Sequence, residues 1–367
     1  MNILILNWRD IKNPKSGGAE LVTFEHAKSW AEKGNHVVWF SSKFPEAKNS
    51  EIISGIHIVR KGNIFTVYFY AAFYYLFSGH QFNVVIDEVH GIPFFTPFYV
   101  RKLKVAFIHE VAEEIWDSMF SFPFNIIGKL IESLYLWLYK DIFFWTDAQS
   151  TIDELVGHGI DRKKITAIPC AIANDVLVSF PQKEKKPTFI FVSRLVKMKG
   201  IEDVIRAFQI ILAEKKDANL WIVGSGDKQY LRQLKDMVSR FKMQDKVVFF
   251  GHVSDRKKLH LMRRSHMLLH ASIKEGWGLV VVEAASQFTP SVVYNVSGLR
   301  DSVKNNQTGI IVSQNNPLQL AKKALNLLED NSKYKKLQHG GAAWARSLNW
   351  NTITRESLDM IKRYAKA

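Results

Sequence analysis

Residues 188–215 read TFIFVSRLVKMKGIEDVIRAFQIILAEK, Thr188 to Lys215. Thr188–Val192 is a short apolar run. It feeds a basic turn that ends at Gly200, and Ile201–Lys215 continues as a helical pattern. The alternation goes on with strands at Asn219–Val223, Val247–Phe250 and Met267–His270 and helices at Lys228–Phe241 and Leu279–Ser286. Upstream, strands are expected at Ile3–Leu6, Val37–Phe40, Val84–Ile86, Val105–Ile108 and Ile165–Ile168, with a helix over Thr23–Lys33. Strands that alternate with helices imply parallel β-α-β units. Near-continuous apolar strands imply sheets covered on both faces.

FPQKEKKP, Phe180–Pro187, interrupts the pattern with two prolines around a charge run, which reads as a linker. The expected organisation is therefore a first domain over 1–180, a second over 181–349, and a separate helix over 350–367. Two doubly wound α/β domains with a ligand cleft between them would bind at the carboxyl ends of their strands. A length of 367 residues also favours two cores over one.

Charge divides unevenly. Residues 1–180 hold 17 Lys+Arg against 19 Asp+Glu, whereas residues 181–367 hold 33 against 16. A basic second half suits an anionic ligand, nucleic acid or an anionic membrane face, or is simply a solvated surface. Aromatics lean the other way, with 31 of 46 in residues 1–180. The single cysteine, Cys170, cannot form an internal disulfide, which points to a reducing compartment. MNILIL at the start reads as a buried strand, not a signal peptide. The longest apolar stretch, Ile64–Phe77, falls short of the roughly 18 residues a membrane span needs.

Five segments could carry chemistry. Ser16-Gly-Gly-Ala-Glu20 opens a helix, and Gly17 and Gly18 would let backbone N–H groups approach an anion; taken alone, a plain turn is the better reading of them. Arg194 and Lys199 follow the strand Thr188–Val192 and suit a diphosphate, one as a fork and one as a point charge. Gly224-Ser-Gly-Asp227 reads as a turn near the site. Glu275-Gly-Trp-Gly-Leu-Val-Val-Val-Glu283 places two carboxylates around a glycine-rich helix start. Gly276 and Gly278, flanking Trp277 before Leu279, expose backbone N–H groups there, and a carboxylate accepts from pairs of sugar hydroxyls. His109 ends a buried strand, as a structural or a functional histidine would.

Taken in order, GGAE, the strand-end His109, STxxEL, SRLVKMKG, GSGD, E-x(7)-E, SGLRD and TGIIV resemble the retaining GT-B glycosyltransferases of family 4, the "glycosyl transferases group 1" family. The resemblance covers Gly17 to Trp350. It implies two Rossmann-like domains and a C-terminal helix that returns to the first. It implies that Gly17 and Gly18 approach the donor phosphates, that Arg194 and Lys199 hold the diphosphate, and that Glu275 binds the transferred sugar beside Gly276–Leu279. Glu283 would bind ribose, and His109 would lie by the reacting sugar. No metal or other cofactor is expected. The donor would be a nucleotide-diphosphate sugar and the acceptor a glycan or lipid-linked molecule of cell-envelope polysaccharide or glycoconjugate synthesis.

Two departures from the family pattern stand out. Ala171 replaces the usual glycine after Ile168-Pro169, and Phe288 replaces the glycine before Thr289-Pro290, suggesting a reshaped helix end. The aromatic runs Phe65–Phe77 and Trp116–Trp145 fit either a packed core or a membrane-surface contact by a cytoplasmic protein. A nucleotide-sugar epimerase of the same fold is the nearest alternative. Nucleic-acid binding is disfavoured, because no module for it is present and the aromatics lie in the other half.

Overall fold

The computed structural model describes residues 1–79 and 81–366. The chain forms two compact units. One comprises Met1–Trp116, Phe120–Ala171 and Asn349–Ala367, and the other comprises Asp117–Met119 and Ile172–Leu348.

The first unit is built on eight strands: β1 (Asn2–Leu6), β2 (His36–Ser41), β3 (Ser50–Ile53), β4 (Ile56–Arg60), β5 (Val84–Val89), β6 (Leu103–Ile108), β7 (Phe143–Thr146) and β8 (Ile165–Ala167). Their order is β3-β4-β2-β1-β5-β6-β7-β8, parallel throughout except for the edge hairpin β3–β4. Buried residues run continuously along the inner strands, with Ile3 to Leu6 and Val37 to Phe40 at 1% exposure or less. That matches a sheet sandwiched between helices. Phe107 of β6 and Trp145 of β7 stack with ring centroids 3.7 Å apart. The β3–β4 hairpin is pinned by a buried ion pair. Arg60 Nε and Nη2 donate to Asp10 at 2.7 and 2.8 Å, and Nη1 donates to Glu51 at 2.6 Å.

The helix Trp350–Tyr364 packs within this first unit, against the helix Gly18–Glu32. Ile353, Leu358 and Ile361 form its buried face. Ser357 Oγ lies 2.8 Å from His26 Nδ1 and accepts from Trp30 Nε1 at 3.1 Å. Burial pushes the His26 imidazole down to about 3, so it is neutral. At the far end of the helix, Tyr364 stacks on Phe143 at 3.8 Å.

The second unit has six parallel strands: β9 (Thr188–Val192), β10 (Asn219–Val223), β11 (Val247–Gly251), β12 (Met267–His270), β13 (Ser291–Val293) and β14 (Gly309–Ile311). Their order is β11-β10-β9-β12-β13-β14. Counted from β9, this is the 3-2-1-4-5-6 order of a dinucleotide-binding sheet, and its switch point lies between β9 and β12. Phe189, Phe191, Phe208, Leu220 and Leu269 are fully buried in its core.

Several expectations need adjusting. The first helix begins at Gly18, not Thr23, because Gly17 caps it: its N–H donates to the Glu20 carboxylate at 2.7 Å. The first unit ends at Ala171 rather than 180. Asn174 donates to Ser286 Oγ, the Leu177 N–H donates to the Ser286 carbonyl, and Phe180 packs against Phe288, so this stretch is tied to the second unit. The charge run that reads as a linker is tied down as well, with Glu184 ion-paired to Arg264 at 2.5 Å and Lys183 donating to Thr289 at 2.8 Å. The turn at Phe288 is not reshaped. Phe288 adopts the left-handed conformation itself, at φ 54°. That costs about 1–2 kcal/mol for a residue with a Cβ, and burial of the ring to 3% exposure opposes the cost.

The aromatic runs divide. Tyr135, Tyr139 and Trp145 enter the core. Phe65, Phe69, Phe73 and Phe77 recur every four residues and are 77, 72, 62 and 74% exposed. With helix Val67–Phe77 they form one apolar stripe. Helix Phe124–Tyr139 exposes Ile127, Leu130, Leu134 and Trp137 on a second stripe. Among the described residues, no helix is long and apolar enough to cross a membrane.

Candidate active site

In the second unit, the residues picked out on either side of β9 and β12 converge at the carboxyl ends of these neighbouring strands. Gly200 makes this approach feasible. It has φ 68°, and a Cβ there would lie 1.8 Å from the Ala271 carbonyl oxygen. The turn carrying Lys199 therefore packs directly on the segment that leaves β12. The Ile273 N–H and Ser272 Oγ both donate to the Met198 carbonyl, at 2.9 and 3.1 Å. These bonds bring Lys199 Nζ to 2.7 Å from Glu275 Oε1. His270 Nε2 lies 3.0 Å from the same oxygen.

Burial alone would raise the Glu275 carboxyl. Lys199 first, then His270, outweighs it and holds the group well below the usual carboxylate range. Glu275 is thus a fixed anion with its second oxygen left to accept. Arg194 stands on the same turn as Lys199, and its side chain is exposed. Among the described residues its guanidinium has no ion-pair partner, so it is available to an anion.

The two other glycine motifs support this turn. A Cβ on Gly224 would lie 1.8 Å from the Ser193 carbonyl oxygen, and one on Gly226 would lie 2.2 Å from that of Leu195. GSGD thus lets β10 close against the Arg194 turn. Gly298 of SGLRD has φ 76° and meets the Glu275 carbonyl oxygen at 2.1 Å in the same construction. It backs the loop that presents Glu275.

Gly276, Trp277, Gly278 and Leu279 follow directly. Gly278 caps helix Leu279–Ser286 in the left-handed conformation at φ 85°. The first-turn N–H groups of a helix have no acceptor inside it and carry partial positive charge. Trp277 is 6% exposed, and its indole Nε1 is buried without a partner. Glu283, one turn into the helix, pairs with Lys258 at 2.8 Å. Burial raises its carboxyl, against the opposing pull of Lys258. His270 and Lys258 were missed in the sequence. His270 ends a buried strand just as His109 does, so the same signal was present.

The first unit has its own constellation. Glu88 in β5, His109 after β6 and Asp147 after β7 come from three adjacent strands. His109 Nδ1 hydrogen-bonds to Asp147 Oδ2, and its Nε2 lies 3.5 Å from Glu88 Oε2. His90 Nε2 lies 3.4 Å from the same oxygen. Thr23 Oγ1 donates to the other oxygen of Glu88. Burial opposes charge on both partners, yet Asp147 and Glu88 raise the His109 imidazole well above its ordinary value. Burial would likewise raise Glu88, and His109 and His90 hold it down at about 2. Gly17 and Gly18 begin the helix that carries Thr23. Because the Gly17 N–H already binds Glu20, Gly17 serves this helix start as its cap.

The comparisons agree with this architecture. The model of the Glycosyltransferase Family 4 description matches residues 16–175, and that of Glycosyl transferases group 1 matches 177–344. An uncharacterized glycosyltransferase of Methanocaldococcus jannaschii is 31% identical over 49% of this chain and 46% of its own length. The capsular polysaccharide biosynthesis glycosyltransferase CapM of Staphylococcus aureus is 31% identical over 41% of this chain and 39% of its own length. The chain spans less than half the length of these curated relatives. The solved structure of HepE from Anabaena in complex with UDP-glucose has a TM-score of 0.75 at 16% identity, covering 99% of this chain and 100% of that one. Its likeness shows the shared fold. With both units matched in order, this chain belongs to the group 1 glycosyl transferases of glycosyltransferase family 4, which have the GT-B fold.

Proposed function

We propose that this chain transfers a hexose-type sugar from a nucleotide-diphosphate sugar to a glycan or lipid-linked acceptor, with retention of anomeric configuration. The observation that carries the reading is the Lys199–Glu275 ion pair at the β9/β12 switch point, with the exposed Arg194 on the turn that carries Lys199. Breaking an anomeric bond develops positive charge on the sugar and negative charge on the departing diphosphate. Lys199 (held by Glu275), the exposed Arg194 and the N–H groups of Gly276–Leu279 are assigned to that negative charge, which fixed donors stabilise without reorganising. Glu275, kept ionised, accepts from sugar hydroxyls. Glu283 is assigned to the ribose, with Lys258 holding its carboxylate. Gly18, at the start of its helix, is assigned to the donor phosphates, and Gly17 acts by capping that helix. His109 is assigned to the reacting sugar, where an imidazole fixed by Asp147 and Glu88 has a defined orientation. None of these steps calls on a metal ion.

Two observations favour a lipid-linked acceptor at a membrane surface. The first unit exposes the stripe Phe65, Phe69, Phe73 and Phe77 and the stripe containing Leu130, Leu134 and Trp137. Exposed apolar stripes of this kind mark contact surfaces, and Trp favours a boundary between water and lipid. CapM, a relative, is described as acting in capsular polysaccharide biosynthesis, which fits an acceptor in the cell envelope. A cytoplasmic enzyme docked on the inner face of the membrane is the corresponding placement.

A thermal-shift panel of UDP-, GDP-, ADP- and TDP-sugars tests the donor half. At a ligand concentration of 100 Kd, binding stabilises by about 2.7 kcal/mol. One nucleotide series is therefore expected to raise Tm by several degrees while the others leave it unchanged. A flat response across all four series counts against the proposal.

A further inference from the structure

Glu88 Oε2, His90 Nε2 and His109 Nε2 lie within 4.8 Å of one another. Each of these atoms is buried and has no hydrogen-bond partner among the described residues. The two nitrogens stand 3.4 and 3.5 Å from the shared carboxylate oxygen. Zinc–nitrogen and zinc–oxygen bonds of about 2.0–2.2 Å in tetrahedral geometry put neighbouring ligand atoms about 3.4 Å apart. The two separations from the carboxylate oxygen match edges of one coordination tetrahedron, and the three residues' ligand atoms all lie within 4.8 Å of one another.

The surroundings are built in the same sense. A metal-bound histidine usually hands its other ring nitrogen to a carboxylate, and His109 Nδ1 hydrogen-bonds to Asp147. A metal-bound carboxylate is usually anchored through its second oxygen, and Thr23 holds that of Glu88. The Glu88 side chain is fully buried, and those of His90 and His109 keep 18 and 10% of their surface.

We propose that Glu88, His90 and His109 form a divalent transition-metal site, with a water or other small ligand in the fourth position. Two imidazoles and one carboxylate suit zinc or a similar borderline cation better than magnesium or calcium, which take mainly oxygen ligands. Binding takes up the His90 and His109 Nε2 lone pairs, and any proton on those nitrogens is released to solvent. The site is inhibitory, a point that rests on the function proposed above: the ion occupies the imidazole edge assigned to the reacting sugar.

The test uses the full chain, stripped with a chelator and titrated with Co²⁺, whose tetrahedral complexes absorb in the visible. The expected result is a band that saturates at one equivalent and is bleached by Zn²⁺. E88Q and H90A, checked for folding by circular dichroism, abolish it. D147N keeps it but weakens Co²⁺ binding about 10- to 100-fold. No band in the unaltered chain, or an equal band in E88Q and H90A, overturns the site and leaves Glu88 as the shared carboxylate neighbour of the two histidines. A band in the unaltered chain, lost in E88Q, with sugar transfer unaffected by stoichiometric Zn²⁺, keeps the site and overturns its inhibitory role.

Discussion

Replacing Lys199 with alanine is expected to lower kcat for sugar transfer by about two to three orders of magnitude, the usual cost of removing one fixed donor to a developing anion. Two effects combine. The departing diphosphate loses a point charge, and Glu275 loses the partner that lies 2.7 Å away. Burial raises a carboxyl, and at Glu275 it is Lys199 that chiefly opposes this. In K199A the carboxyl therefore climbs from well below its usual range toward or above it. Activity should consequently fall at a higher pH on the acid side than in the unaltered chain. Steady-state kinetics against pH checks both the fall in kcat and the displaced limb. A K199A enzyme with unchanged kcat would remove Lys199 from the chemistry and leave it as a support for the Glu275 loop.

The second large effect concerns stability. Arg60→Ala is expected to destabilise the first unit by about 3–5 kcal/mol, because removing one partner leaves a buried charge uncompensated. Asp10 is completely buried and keeps only the Ser41 hydroxyl, at 2.8 Å, and the Lys12 N–H, at 2.9 Å, once the guanidinium is gone. The loss reaches the fold because Arg60 ends β4 and binds both Asp10 and Glu51, which fixes the edge hairpin. Chemical denaturation followed by tryptophan fluorescence reads the change. The double variant Arg60→Met with Asp10→Leu should recover most of it, since apolar replacements of a buried pair are often neutral. A single variant as stable as the parent would mean that water reaches Asp10.

These two residues also show what the sequence discloses. Lys199 and Glu275 were legible because each follows an apolar strand that leads into a glycine turn and a helix. In a doubly wound sheet all such turns share one edge. Arg60 was not legible. Its partner Asp10 lies 50 residues away on another strand's exit, and a charged residue at a strand end reads as exposed. The hairpin β3–β4 was missed for a related reason, since its alternating burial over four or five residues is a short signal. Glu88 and Asp147 were hidden in the same way. Each is one carboxylate near a strand end, and only the order β5-β6-β7 places both beside His109. His109 itself was visible as a strand-end histidine, but nothing in its own segment showed what would hold it.

The aromatic segments make a complementary case. Composition alone allowed Phe65–Phe77 to be core or surface. The four-residue spacing of Phe69, Phe73 and Phe77 puts them on one face of the helix, with Phe65 just before it, and only the folded sheet decides which way that face points. It points outward, whereas Val67 and Ala71 of the same helix are buried. For Trp116–Trp145 the outcome is mixed, because that run includes both a surface helix and the buried strand β7.

The central claim, sugar transfer from a nucleotide donor, is tested most directly by following the donor itself. The purified chain is incubated with the nucleotide sugar selected by thermal shift, with and without vesicles that carry envelope lipid extract. Nucleoside diphosphate is quantified by ion-exchange chromatography, and the glycolipid product by NMR of its anomeric proton. The account predicts diphosphate release that depends on the lipid acceptor, with the sugar linked in the anomeric configuration it had in the donor. Conversion of the donor to an epimeric sugar nucleotide without any acceptor, or no consumption with any acceptor fraction, would contradict it.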